Sequence, residues 1–168
     1  MPAIPAITPN LGLPRLAADD HTRLWEHHNS LTDELDGLFG RWQSYRPVWS
    51  QSSGAVLSVG SGTLDGSYLR LGQLVVGTVR LITAADTNKG SGAWIFSLPP
   101  VTPKSWNLVQ GSFACVRNNT HYAGSTFPVS STSIGCIVGD LGRVSNTIPT
   151  ATHQAGDWYT AQFIYEPA

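Results

Sequence analysis

The side chains able to do acid–base or covalent chemistry are few and scattered. From Pro47 onward the acids are Asp65, Asp86, Asp140, Asp157 and Glu166. All but Glu166 stand beside Gly, Asn or an expected strand end, where Asp is an ordinary turn residue because its short carboxylate bonds the local backbone. Glycoside hydrolysis needs two carboxylates across one cleft, and acyl transfer needs a nucleophile beside a base. No G-x-S-x-G elbow, P-loop or H-E-x-x-H occurs. His27 and His28 are adjacent, so on a helix they point to different faces and cannot chelate one ion together. His121 and His153 stand alone in expected loops. Cys115 and Cys136 are not a zinc pattern; they fall in separate expected strands, and whether they are bonded stays open. The expectation is a protein that is not an enzyme, with no catalytic residue, no metal site and no cofactor.

Binding chemistry is harder to dismiss. "NNTHYAG" (118–124) is a polar stretch with one aromatic, and Asn118, Asn119, His121 and Tyr122 make it a candidate ligand loop. A sugar has an apolar face and a polar rim, so sugar sites join an aromatic platform to amide and hydroxyl groups. Trp106 and Trp158 lie near expected strand ends and are read as core rather than platform. Nucleic acid is excluded as a partner: net charge is −1, and Lys and Arg never cluster into the cationic track that phosphates need. A membrane span is excluded too, because no apolar stretch reaches about 18 residues.

The elements that must position these groups divide the chain into three. Residues 1–18 hold Pro2, Pro5, Pro9 and Pro14, which fix φ and remove donors, so an extended arm is expected. Its apolar Ile4, Ile7, Leu11 and Leu13 fit a groove of another subunit; a disordered terminus is the alternative. Residues 19–46 are an oligomerisation helix and linker, capped by Asp19 or Asp20. His21, Leu24, His28, Leu31, Leu35, Leu38 and Trp42 step by three and four, the a and d positions of a heptad. A lone short helix before an all-β region has little of its own to pack on, so Leu24, His28, Leu31, Leu35, Leu38 and Trp42 are expected to line a self-association seam. His28 there is a polar layer that fixes register.

Residues 47–168 switch to period two. "GSYLRLG" (66–72) and "QLVVGTVRLIT" (73–83) read as a hairpin around Gly72 and Gln73, and four further strand-like runs follow, separated by Gly, Pro, Asn and Asp. Charged residues make up only 12%, about half the usual share, and the chain has 17 Gly, a composition that suits a loop-rich β protein. The expected fold class is mainly β: an N-terminal extended arm and a short coiled-coil-like helix, then an antiparallel, jelly-roll-like β-sandwich.

The stretch 61–100 adds a resemblance. It carries Gly66, Tyr68 and Gly72, then "GSGAWIFSLP" with Gly90, Gly92, Ala93, Trp94, Phe96, Ser97, Leu98 and Pro99. This resembles a segment of minor tail proteins and fibre tips of tailed phages infecting actinobacteria. "TPNLGLPRLAADD" (8–20) is similar to the start of phage fibre and tail-tip proteins, and the two stretches cover about a third of the chain. The resemblance implies a virion protein on the particle exterior, a homotrimer attached to other virion proteins through its arm and contacting the host surface, a glycan included. Phage fibres usually carry long shafts, and this helix is short, which keeps capsid decoration or a head spike open. A free carbohydrate-binding module is the other alternative. Within the motif, Trp94 and Phe96 share one face and are expected to be core.

Overall fold

The structure, a computed structural model, describes residues 24–38, 40–53 and 56–168. The expected arm, with Ile4, Ile7, Leu11 and Leu13, and the expected cap at Asp19 or Asp20 lie outside the described residues.

The chain is mainly β, with one short helix, α1 (Leu24–Leu38). Ten strands follow: β1 (Gln43–Tyr45), β2 (Trp49–Gln51), β3 (Thr63–Leu71), β4 (Leu74–Ile82), β5 (Trp94–Ser97), β6 (Gly111–Arg117), β7 (Thr120–Ser130), β8 (Ser133–Val138), β9 (Gly142–Arg143) and β10 (Trp158–Tyr165). The expected hairpin forms: β3 and β4 pair in register from Thr63 with Ile82 to Leu71 with Leu74, leaving Gly72 and Gln73 as its turn.

Two expectations about the helix are corrected. The seam was drawn to Trp42, but α1 ends at Leu38, since Gly37 and Gly40 disfavour its continuation. The Gly40 amide instead donates to the Arg70 carbonyl at 3.1 Å, which sets residues 40–45 alongside β3. Trp42 therefore lies outside the helix, immediately before β1. The sheet also begins at Gln43, inside the segment expected to be a linker.

All strands pair antiparallel in one sheet, in the order β1-β3-β4-β10-β6-β7-β8-β5-β2, with β9 on β8. This order forces the sheet to curl. Nine strands laid flat would set β1 and β2 roughly 38 Å apart, whereas the chain from Tyr45 to Trp49 spans at most roughly 14 Å. The two edges must meet; one side-chain bond crosses from β1 to β5, and two more hold the strand-joining Val48 to β5. Tyr45 Oη donates to the Ser97 carbonyl at 3.2 Å, the Ser97 amide to the Val48 carbonyl at 2.9 Å, and the Val48 amide to Ser97 Oγ at 2.8 Å. Gly66 makes room for the closure, because a Cβ there would collide with the Tyr45 ring.

The core fills the inside of the curl. Alternation sends Val75, Val79 and Leu81 of β4 and Tyr159, Ala161, Phe163 and Tyr165 of β10 inward. Trp94 and Phe96 of β5 are buried as expected, and Trp94 meets Trp49 and Tyr159 edge-on, each with ring centroids 4.9 Å apart. Truncating a buried aromatic of this size to Ala typically costs about 3–5 kcal/mol, through lost burial and the cavity left. Cys115 and Cys136 are free buried thiols, and burial pushes Cys115 up to about 12.

Candidate functional site

The pairing that buries one set of side chains presents the other set on the outer face of β1, β3, β4, β10 and β6. Gln43 pairs with Tyr68 and Ser44 with Ser67, so Trp42 and Ser44 lie on the side opposite inward-facing Tyr68. From β4 come Val76, Thr78 and Arg80; from β3, Asp65 and Ser67; from β10, Gln162 and Ile164; and from β6, Ser112.

These residues line two adjoining depressions that share Thr78. The first, of about 430 Å³, has Trp42 against Val76, Gln162, Ser112 and Ile164. The second, of about 660 Å³, is the more polar of the two and holds Arg46, Arg80, Asp65, Ser44 and Ser67 beside Tyr45. Trp42 is 57% exposed, unlike Trp94 and Trp49 in the core. Ser112 Oγ donates to Gln162 Oε1 at 2.8 Å, which orients the Gln162 amide and leaves its NH₂ group as a donor. Asp65 and Arg80 are cross-strand neighbours. Together the two depressions form one trough, aromatic at one end and rich in donors and acceptors along the rest.

The loop singled out in the sequence is not a loop. Asn118 and Asn119, at φ 49° and 58°, make a two-residue turn that joins β6 directly to β7, with Arg117 opposite Thr120. A turn with both central residues left-handed matches the twist of the flanking strands, and Asn tolerates it better than most residues do. His121 and Tyr122 are therefore strand residues. His121 is exposed, whereas Tyr122 packs against the core on the side opposite His121. The four residues share one hairpin end, with His121 and Tyr122 on opposite faces of β7. Trp106 is half exposed in a single 3₁₀ turn, and Trp158 opens β10 half-buried.

Most of the acids hold the scaffold. Asp86 accepts from the Ser61 amide and hydroxyl, and those bonds hold its carboxyl below the usual carboxylate range. Glu166 pairs with Lys104 at 2.6 Å. Asp157 accepts the amides of Asn118 and Gln154. Asp65 stands in the depression that holds Arg46 and Arg80, and Glu166 lines a separate one with Arg70, Gln73 and Lys104.

Beside Asp157 lies a buried polar knot. Arg117, 2% exposed, donates to the carbonyls of Ser145 and Asn146. Its burial lowers its pKa, and its Nε is buried with no partner. His153 lies 3.1 Å from the Asn146 carbonyl through Nε2 and 3.0 Å from Tyr159 Oη through Nδ1. A neutral imidazole with its proton on Nε2 satisfies both contacts, donating to the carbonyl and accepting from the tyrosine. The knot ties the 144–157 segment to the sheet and is closed to substrate.

Among the described residues no group of three His, Cys, Asp or Glu is placed to hold a metal, and no helix is long and apolar enough to cross a membrane. On α1, Leu31 and Leu35 are 58% and 39% exposed, while Asn29, Thr32 and Asp36 are buried. His28, at the expected polar layer, is exposed; Leu24 and Leu38 are the helix's end residues. No family model, curated protein or solved structure matches this chain.

Proposed function

We propose that the protein is a structural virion protein of a tailed phage. Its α1 helices bundle into a homotrimer, its N-terminal arm attaches to the particle, and its β-rich part, a jelly-roll-like sandwich, faces outward as a short tail fibre or tail tip that contacts the host surface. The observation that carries this reading is the orientation of α1. Leu31 and Leu35 face solvent in the single chain while polar Asn29, Thr32 and Asp36 are covered, and the helix makes no substantial contact with any strand. A leucine stripe left in water on an otherwise ordinary helix is stabilised by a copy of itself, since each Leu fully buried contributes roughly 1.5–3 kcal/mol. The tail-protein resemblance of residues 61–100 supports the particle context.

Two measurements test it. Sedimentation velocity on the full chain should give three times 18.0 kDa, and the double variant Leu31→Asp, Leu35→Asp should sediment as a monomer with its β structure intact. A monomeric wild-type chain at micromolar concentration would remove the trimer. Quantitative mass spectrometry of purified particles then gives copy number against the major capsid protein. A handful of copies in multiples of three or six supports the tail position. A number comparable to the capsid protein points instead to capsid decoration, and absence from particles overturns the virion role.

A further inference from the structure

We infer that the outer trough over β1, β3, β4, β10 and β6 is a binding groove for a neutral polysaccharide, with Trp42 as the platform on which a pyranose ring stacks. The inference deepens the proposed host-contact role and rests on it only for the source of the ligand. Three features carry it. The first is Trp42 itself, a large apolar ring left more than half exposed at the wall of a depression rather than buried in the core. The axial C–H face of a pyranose is apolar and matches such a ring, while its hydroxyls need partners around the rim.

The second feature is the supply of those partners. The Gln162 amide is held in place by Ser112, and Thr78 stands at the join of the two depressions. A planar amide that both donates and accepts is suited to a hydroxyl pair on adjacent ring carbons.

The third feature is the mixture of charge in the polar half. Arg46 and Arg80 present forked donors and Asp65 presents a forked acceptor in the same depression. A nucleic-acid track needs clustered cations, and a carboxylate set among them repels phosphate. Arg with Asp side by side instead matches vicinal hydroxyls, which donate and accept at once. A trough whose aromatic and charged ends are joined through Thr78 takes a chain of sugars rather than a single one.

The test titrates the full-length protein with cellohexaose, maltohexaose, mannohexaose, galactohexaose and arabinohexaose by isothermal calorimetry. Binding of at least one of these is expected. Trp42→Ala should weaken it tenfold or more, Trp42→Phe should retain most of it, and Gln162→Ala and Arg80→Gln should each cost three- to tenfold. His121→Ala, at the start of β7, should change nothing. Trp42 is exposed, so its variants should keep the wild-type circular dichroism and melting temperature. No binding of any hexaose at millimolar concentration overturns the inference, as does full affinity in Trp42→Ala. If Trp42→Ala breaks the oligomer, the trough is covered by another copy of the chain and the inference also falls. The monomeric Leu31→Asp, Leu35→Asp variant should still bind sugar with the wild-type affinity per site, so the trimer reading and the groove stand or fall separately.

Discussion

His153 is stacked against Trp94, with ring centroids 5.9 Å apart, and touches Tyr159 and the Asn146 carbonyl. Burial, then the nearby charges of Arg117 and Lys89, pull its pKa down to about 4. Asp157, 3.6 Å from Nδ1, pulls the other way and is outweighed, because its oxygens already accept two backbone amides. In the unfolded chain the same imidazole takes a proton near pH 6.5. Between about 6.5 and 4 the unfolded state therefore binds more protons, and stability rises with pH across that window. The contribution is complete above pH 6.5 and is lost as pH falls toward 4. His153→Gln keeps a donor and an acceptor but cannot titrate. Urea midpoints at pH 7 and pH 4.5 should show the wild type losing more stability than the variant, and parallel losses would refute the assignment. None of this was legible in the sequence, where His153 stands in a run of polar and small residues and reads as an isolated loop histidine.

At the scale of elements, the β6–β7 hairpin shows where local signals were present and misread. Asn118-Asn119 is a two-residue turn signal, yet the polar residues after it suggested a longer loop. His121 and Tyr122 alternate between solvent and core as part of β7, so the polarity of the run reflected one exposed face. Asn119, at φ 58°, carries the backbone cost. Asn119→Ala should destabilise the protein by about 1 kcal/mol, since the Asn side chain offsets the left-handed backbone through local hydrogen bonding and Ala cannot. Asn119→Gly should be neutral within a few tenths or slightly stabilising, and equilibrium urea unfolding of the two variants checks both. The opposite lesson comes from residues 40–45. Trp42 continues the heptad count after Leu38, but Gly37 and Gly40 disfavour the helix and it ends at Leu38. The Gln43-Ser44-Tyr45 run that follows pairs with β3 and carries Trp42 onto the outer face.

At the scale of the whole molecule, the sheet is closed by its own connectivity, and α1 has no extended contact with any strand. The three residues between β1 and β2 bring the two edges together, and the core aromatics lie inside that closure. A chain starting at Gly40 should therefore fold with a melting temperature within about 3 °C of the full chain's under monomeric conditions, the shift expected for a loss of no more than about 1 kcal/mol in a chain of this size. Differential scanning calorimetry on the two chains checks this, and a drop several times larger would mean that the helix completes the core.

Short-range periodicity and backbone chemistry account for part of this architecture. The switch from a three–four step to period two near residue 47 set one helix against many strands. Alternation chose the inward faces of β4 and β10 and placed Trp94 and Phe96 in the core. Only the tertiary structure decided which strands became neighbours, because pairing between distant segments rests on fit across the whole core and leaves no periodic mark in either segment. β10 lies between β4 and β6, and the chain's first strand sits at one edge with its second at the other. That order places Trp42 at the wall of one depression with Gln162, and Arg46 in the next with Asp65 and Arg80. It also brings His153 against Tyr159 and Trp94. The core faces were thus written locally, whereas the trough and the buried knot exist because the curl brings together residues that no stretch of sequence joins.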